Sequence, residues 1–315
     1  MKEQAVVPDP EFASYYGRPI LKRPVWKQPD VPMYFFLGGL SGASAVLAEG
    51  AAATGRPTLE RAARVTAAGG VALGTVALIH DLGRPERFLN MLRVFKPTSP
   101  LSVGSWVLAP FGGLAAVALA SDMSGKLPRL GRWAGVGAAV LGPPLATYTA
   151  ALISNTAVPA WHEGYRELPF VFAGSAAAAA GGIAMVAAPV DEAAPARRLA
   201  AIGACTDLVS MELMNRRLGP VAEPYSQGRP GALLRAARRL TIAGGVGSLL
   251  ARRSRVVSVA SGLALAGASV LTRFWVFQAG LASAEDPRYV VLPQRQRLED
   301  QERGQHRQGE RTLAR

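Results

Sequence analysis

The charged residues of this 315-residue chain fall in clusters, and the stretches between the clusters are almost free of charge. Between Val31 and Gly280 these stretches each run for about 20 residues, the length of α-helix that covers the ~30 Å hydrocarbon core of a bilayer. An amphipathic soluble fold would instead place charges along one face of every helix. The pattern therefore predicts an all-α fold, a polytopic membrane bundle of about eight transmembrane helices.

The predicted bundle occupies residues 31–280 and lies between two polar tails, residues 1–30 and 281–315. Its eight predicted spans are Val31–Thr54, Ala62–His80, Val103–Ser121, Gly131–Ser154, Leu168–Ala188, Ala196–Met214, Ala232–Ala251 and Val256–Gly280.

Charges interrupt the sixth and seventh of these spans. The sixth carries Asp207 and Glu212. The seventh offers only about a dozen apolar residues, or ~18 Å of helix, between Arg239 and Arg252. Snorkelling arginines could extend its reach. If neither segment spanned, the chain would still end on the side where it began, because the number of crossings would remain even.

Lysine and arginine are divided unequally between the two predicted sides. Of the 35 such residues, 24 lie on the side of the tails and 11 on the opposite side. Because loops rich in these residues stay in the cytoplasm, both termini are predicted to be cytoplasmic, in a multi-pass protein of the cell inner (plasma) membrane. The net charge of +13 sits at span ends and in the tails, which argues against nucleic-acid binding.

Composition excludes several redox sites within this chain. Only 18% of the residues are charged, against about 25% in a soluble domain. The single cysteine, Cys205, is predicted to be a small buried residue, and one cysteine cannot hold a disulfide, an iron–sulfur cluster or a Cys-rich zinc site. His80 and His162 lie at span ends, which disfavours a bis-histidine haem. We expect no haem or metal within this chain.

Polar side chains gather at one predicted membrane face. Helix parity brings the end of the second span to the side where the fourth span ends. A quinone head group needs hydrogen-bond partners at its carbonyl oxygens and a group that exchanges protons near neutral pH. One hypothesis is therefore a quinone site formed by His80, Asp81, Tyr148, Asn155 and His162. The alternatives are a salt-bridged helix cap, an interfacial histidine and a packed tyrosine.

Two aromatic residues near this face, Trp161 and Tyr165, fit an ordinary interfacial belt. Two of the carboxylates inside the predicted spans are candidates for a proton route: Glu49 near the far end of the first span and Asp207 midway along the sixth. Intramembrane acids are costly and mark either a proton route or a paired site in the bundle. Both interpretations stay open for Glu49 and for Asp207.

Six segments spread over most of the chain contain distinctive motifs. They are Tyr15–Pro19, Phe36–Gly42, His80–Phe88, Pro97–Trp106, Thr147–Phe170 and Asp286–Tyr289. With these segments the chain resembles the NrfD family of polysulfide-reductase-type membrane subunits, in its actinobacterial branch. The Asp81-Leu82-Gly83-Arg84-Pro85 core is fairly specific to the family, and the Thr147–Phe170 segment resembles the branch specifically.

The resemblance implies a haem-free subunit of eight to ten helices that binds quinone or quinol. It also implies an iron–sulfur (ferredoxin-like) subunit docked on one membrane face, which contacts a molybdopterin oxidoreductase subunit. The expected cofactor is a quinone, menaquinone. Tyr148 matches the family's quinone-contacting tyrosine, whereas Met33–Phe36 departs from the polar first-helix start of some members. The residues expected to dock the partner are Arg84, Arg87, Arg93 and Lys96.

Two other functions remain open at this level. The chain could be a membrane anchor without quinone chemistry. It could also be a proton-coupled transporter or pump module that uses Glu49 and Asp207. Transporters often contain inverted repeats, and no clear internal repeat is visible in the sequence.

Overall fold

The computed structural model describes residues 20–291, and this part of the chain contains helices and no β-strand. The predicted all-α class is confirmed. The motif Tyr15–Pro19 and the tail residues 1–19 and 292–315 lie outside the described residues. The α-helices are α1 Asp30–Ala53, α2 Pro57–Asp81, α3 Arg87–Asn90, α4 Pro100–Ser124, α5 Pro128–Ser154, α6 Pro159–Glu163, α7 Leu168–Ala187, α8 Ala194–Leu218, α9 Glu223–Ser226, α10 Gly228–Leu250 and α11 Arg255–Glu285.

Each of the eight predicted spans corresponds to one long helix. Six of them, α1, α2, α4, α5, α7 and α11, are long and apolar enough to cross a membrane. The other two, α8 and α10, are the spans that charge interrupts in the sequence. The chain is therefore a multi-span membrane bundle in which α8 and α10 are less apolar than their neighbours.

Several helices begin before the predicted apolar stretch. Helix α2 starts at Pro57, and α4 and α5 start at Pro100 and Pro128. Proline suits the first helical turn because its missing N–H would have no partner there. The last helix also extends beyond its predicted span: α11 continues past Gly280 to Glu285, into the region predicted to be a polar tail.

The long helices approach one another closely where glycines face each other. Gly42 of α1 and Gly142 of α5 are so close that a Cβ on either would overlap the carbonyl group of the other. Gly182 of α7 and Gly262 of α11 form a second pair of this kind. In lipid, such packing rather than water exclusion drives helix association. It leaves α1 enclosed, in contact with α2, α5 and α7.

The two ends of the bundle form different surfaces. We call the side where α1 begins and α11 ends the terminal face, and the other side the opposite face. Helices α2, α5 and α8 end at the terminal face, and α4, α7 and α10 begin there. Cys205 of α8 is exposed, so its predicted burial is wrong. A small apolar side chain in a membrane protein can face lipid as readily as protein.

Candidate functional site at the terminal face

Tyr148 lies two turns before the end of α5 and is almost fully enclosed. Only 9% of the residue is exposed. Its ring meets the ring of Tyr34 edge-on at 6.4 Å and lies directly against the backbone of Gly104 in α4. Its buried hydroxyl has no hydrogen-bond partner in the described part of the chain. A buried hydroxyl normally finds a partner, so this one is available to a bound molecule.

A cavity of about 540 Å³ opens beside this tyrosine, and we call it the Tyr148 cavity. Three of the five predicted quinone-binding residues line it, namely Tyr148, Asn155 and His162. Most of the remaining wall is apolar or small: it is formed by Pro97, Thr98, Pro100, Val103, Ala151, Ser154, Tyr165 and Pro169. A mostly apolar cavity with a few converging polar groups is the usual form of a small-molecule site.

His162 enters the cavity with a defined tautomer. Its Nδ1 lies 3.0 Å from the carbonyl oxygen of Ser154. A carbonyl oxygen only accepts hydrogen bonds, so Nδ1 must carry the proton. In the neutral ring Nε2 is then the acceptor, and it can take a proton or a hydrogen bond from a ligand hydroxyl.

The short helix α6 that carries His162 is fixed to the rest of the bundle. Trp161 is fully buried, and its Nε1 donates to the carbonyl of Val276 in α11 at 2.7 Å. Its ring lies against Gly280, where any side chain would overlap it. The Tyr225 hydroxyl donates to the carbonyl of Ala160 at 2.9 Å. Trp161 is therefore a packing anchor that sets the position of His162.

His80 and Asp81 are not among the residues that line the Tyr148 cavity. The Nδ1 of His80 lies 2.7 Å from Oδ2 of Asp30, and the His80 side chain is 73% exposed. Asp81 accepts a hydrogen bond of 2.8 Å from the backbone N–H of Lys27. Both residues therefore connect the end of α2 to the segment that enters α1, still at the terminal face.

The segment between α2 and α4 presents a basic surface at the same face. Its four expected docking residues, Arg84, Arg87, Arg93 and Lys96, are all exposed. None of these side chains forms an ion pair within residues 20–291. Three large apolar side chains between them are exposed as well: Leu89, Val94 and Phe95.

Glu49 lies near the opposite face, far from the Tyr148 cavity along the bundle axis. One of its carboxylate oxygens is 3.5 Å from Arg64 of α2, which also contacts Glu60 at 2.6 Å and Asp122 at 3.7 Å. This network lines a cavity of about 460 Å³. The geometry is that of a paired site at the interface.

Asp207 is 1% exposed and belongs to a polar cluster inside the bundle. Its nearest charged neighbour is Arg273 of α11, which is fully buried. Arg273 donates to the carbonyl of Phe172 at 2.9 Å and lies over that ring. Oδ1 of Asp207, two guanidinium nitrogens of Arg273 and the hydroxyl of Ser269 have no hydrogen-bond partner in the described part of the chain. A buried polar cluster of this kind normally holds water.

The structure adds three residues that the sequence interpretation did not single out. Gly104 sits inside the Pro97–Trp106 motif, and its closeness to Tyr148 explains why that position holds no side chain. Arg273 interrupts an apolar span, which is a signal visible in the sequence. The contact of Asp30 with His80 joins residues 50 positions apart and has no local signal.

Replacing Gly104 by alanine should displace the Tyr148 ring, because a Cβ at this position would overlap it. Overpacking of this kind costs about 1–3 kcal/mol. We expect a lower midpoint of thermal unfolding in detergent. The control is Gly113→Ala on the same helix, where a Cβ would meet nothing within 4 Å. That variant should be as stable as the parent chain or more stable, since alanine favours helix. Equal midpoints for the two variants would contradict the packing argument.

Comparison with known proteins identifies the family. No curated protein matches the chain. The family model described as polysulphide reductase, NrfD, matches residues 19–206, more than half of the chain. The matched region includes α1–α7, the Tyr148 cavity and the basic segment after α2. The chain therefore belongs to the NrfD polysulphide reductase family, the membrane subunits of polysulphide reductase-like oxidoreductases.

Proposed function

We propose that this chain is the quinone-reactive membrane subunit of a multi-subunit oxidoreductase that contains molybdopterin and iron–sulfur subunits. The observation that carries the proposal is that Tyr148 lines a mostly apolar cavity and has a buried hydroxyl without a hydrogen-bond partner within residues 20–291. Membership of the NrfD family supports the same function.

The residues of the Tyr148 cavity suit a quinone, with menaquinone expected. The Tyr148 hydroxyl would donate to one carbonyl oxygen, and Asn155 can donate or accept at the head group. His162 presents Nε2 as an acceptor, which suits a quinol hydroxyl. Proline, valine and alanine side chains would contact the apolar ring. When bound, a quinone supplies a lipid-soluble carrier of electrons and protons.

His80 belongs to the proposal as a group that handles protons at the edge of the site, and Asp81 belongs to it as a positioning residue. The exposed imidazole of His80 contacts the carboxylate of Asp30 at 2.7 Å. Histidine exchanges protons near neutral pH and could pass them between the terminal face and the aqueous phase. Asp81 would act indirectly, by fixing the Lys27 segment against the end of α2.

The basic segment after α2 is the proposed docking surface for the iron–sulfur subunit. It combines cations that form no ion pair within residues 20–291 with exposed apolar side chains beside the Tyr148 cavity. Charged residues at such a surface steer a complementary partner, and apolar residues are desolvated on contact. Electrons would then pass from the docked cluster to the quinone or in the reverse direction. The tails and this surface are proposed to be cytoplasmic.

A filled cavity should abolish quinol binding. Ala151→Trp places a large ring in the wall of the Tyr148 cavity, whereas Val140→Trp adds the same ring to an exposed position of the same helix. Binding of a menaquinol analogue to the purified complex would be titrated by quenching of intrinsic fluorescence. We expect loss of binding only for Ala151→Trp. The membrane-anchor function would be favoured instead by one result: the parent complex copurifies with iron and molybdenum, but the analogue does not bind to it.

A second candidate function is a proton-coupled module. It is favoured by the polar atoms around Asp207 and Arg273 that have no hydrogen-bond partner within residues 20–291. Glu49 is a further acid inside a span. The double variant Asp207→Asn/Arg273→Gln removes both central charges without leaving one unpaired. If proton movement into liposomes stops in this variant while quinol binding persists, the module moves protons. Unchanged proton movement would remove this candidate.

A further inference from the structure

A surface cavity at the opposite face is lined by arginines. It has a volume of about 400 Å³ and lies between the start of α8 and the end of α10. Its lining residues are Ala194, Arg197, Arg198, Ser248, Leu249 and Arg252, with no carboxylate among them. We call it the arginine cavity.

The positive charge of this cavity is not neutralised by the described part of the protein. The charged side chains close to Arg197 are Arg56, Arg198 and Arg252, all cationic. Arg197 and Arg56 donate to backbone carbonyls of the α7–α8 loop. Within residues 20–291, the side chains of Arg198 and Arg252 form no hydrogen bond or ion pair. Uncompensated guanidinium groups in a cavity are suited to an anion, and their planar fork fits phosphate.

Two exposed apolar stripes lead from the cavity towards the middle of the bundle. Below Arg198, Ile202 and Val209 follow along one side of α8, and below Arg252, Leu249 and Val246 follow on α10. The distance from Arg198 to Val209 along the helix is ~17 Å, slightly more than half of the ~30 Å hydrocarbon core. The surface is therefore cationic at headgroup depth and apolar through one leaflet.

The cavity also lies where the bundle is least able to reach the membrane surface. The apolar stretch of α10 before Arg252 covers only ~18 Å of helix, so Arg252 lies deeper than the headgroup layer unless the bilayer thins locally. An anionic headgroup drawn to Arg252 would neutralise it at this depth. Basic pockets between transmembrane helices bind lipid head groups in this manner.

We propose that the arginine cavity binds the phosphate of an anionic phospholipid, whose acyl chains lie on the stripes of α8 and α10. Arg198 and Arg252 hold the phosphate, while Arg197 adds to the local positive charge. A free phosphate ion would satisfy the same guanidinium groups. The lipid is favoured because its acyl chains would cover the adjoining apolar stripes, which a free ion would leave uncovered. This site is separate from the Tyr148 cavity and does not depend on quinone binding.

Lipid binding to the purified full-length chain tests the proposal. Native mass spectrometry from detergent micelles would give the affinity for phosphatidylglycerol and for phosphatidylcholine with the same acyl chains. We expect selective phosphatidylglycerol binding that weakens about 30-fold in Arg198→Gln/Arg252→Gln, or about 2 kcal/mol at 1.4 kcal/mol per tenfold. The matched control Arg239→Gln/Arg253→Gln removes the same charge outside the cavity and should change the affinity less than threefold.

Equal binding of the two lipids, or an equal loss in the control variant, would overturn the assignment to this cavity. Inorganic phosphate that binds as tightly as phosphatidylglycerol would show an anion site without lipid specificity. If the double variant does not fold, Arg198→Gln alone should still fold, since this exposed side chain forms no hydrogen bond or ion pair within residues 20–291. We expect it to weaken binding about fivefold.

Discussion

Tyr148→Phe should lower quinol-dependent electron transfer about tenfold or more while leaving the chain as stable as before or slightly more stable. The loss follows because the variant removes the hydroxyl proposed to hydrogen-bond the quinone, and one such bond is worth about a factor of ten. The stability follows because that hydroxyl is buried without a partner in the described structure. Removing an unsatisfied buried polar atom costs nothing and can stabilise a fold.

Two measurements on membranes that carry the assembled complex check this expectation: the rate with a menaquinol analogue and the midpoint of thermal unfolding. The matched control is Thr147→Val, which removes a hydroxyl from the neighbouring residue of α5. That hydroxyl bonds back to the Pro143 carbonyl at 2.9 Å and is outside the Tyr148 cavity. An unchanged rate in Tyr148→Phe would refute the assignment of this tyrosine to the quinone.

Asp207→Asn should destabilise the bundle by about 3 kcal/mol, because it leaves the Arg273 guanidinium buried without a counter-charge. The expected loss of stability is at the lower end of the range for broken buried ion pairs, because Asp207 and Arg273 are neighbours without a direct ion pair. The measurement is the midpoint of thermal or denaturant unfolding in detergent.

A double-mutant cycle separates the pair from a local effect of the substitution. Arg273→Gln in the Asp207→Asn background should recover part of the lost stability, since no charge is then left unpaired. If the double variant is less stable than the parent chain by the sum of the two single effects, the two residues do not interact. In that case, neutralisation of Arg273 does not explain why Asp207 is buried in this cluster.

The sequence predicts the helices and their order well, for a physical reason. A charge-free stretch of about 20 residues has few alternatives to a transmembrane helix, because an unpaired backbone group in lipid costs several kcal/mol. Parity then assigns Tyr148 and His162 to one face, and the structure places both in one cavity. The interruptions in the sixth and seventh spans also correspond to real differences, since α8 and α10 are the less apolar long helices.

The remaining features depend on contacts between residues distant in the chain. Trp161 has the residue type and the position near a span end that are typical of an interfacial belt. It is nevertheless buried, because Gly280 of α11 leaves room for its ring. His80 and Asp81 share a face with Tyr148, but side-chain direction brings them to Asp30 and Lys27 instead of the cavity. The membrane face and the depth of a residue can be predicted from the pattern of apolar and charged residues in the sequence. The residues it contacts are known only from the packed structure.

The close glycine contacts of the bundle have a consequence for its biosynthesis. Helix α8 is too polar to partition into lipid readily by itself, but Gly203 lies directly against α7, and Gly181 of α7 lies against the backbone of α8. A helical hairpin that forms before release from the translocon would present α7 to lipid and shelter Asp207 between the two helices. Insertion of α8 should therefore require its partner, so that separately expressed halves cut between α7 and α8 would leave α8 outside the membrane.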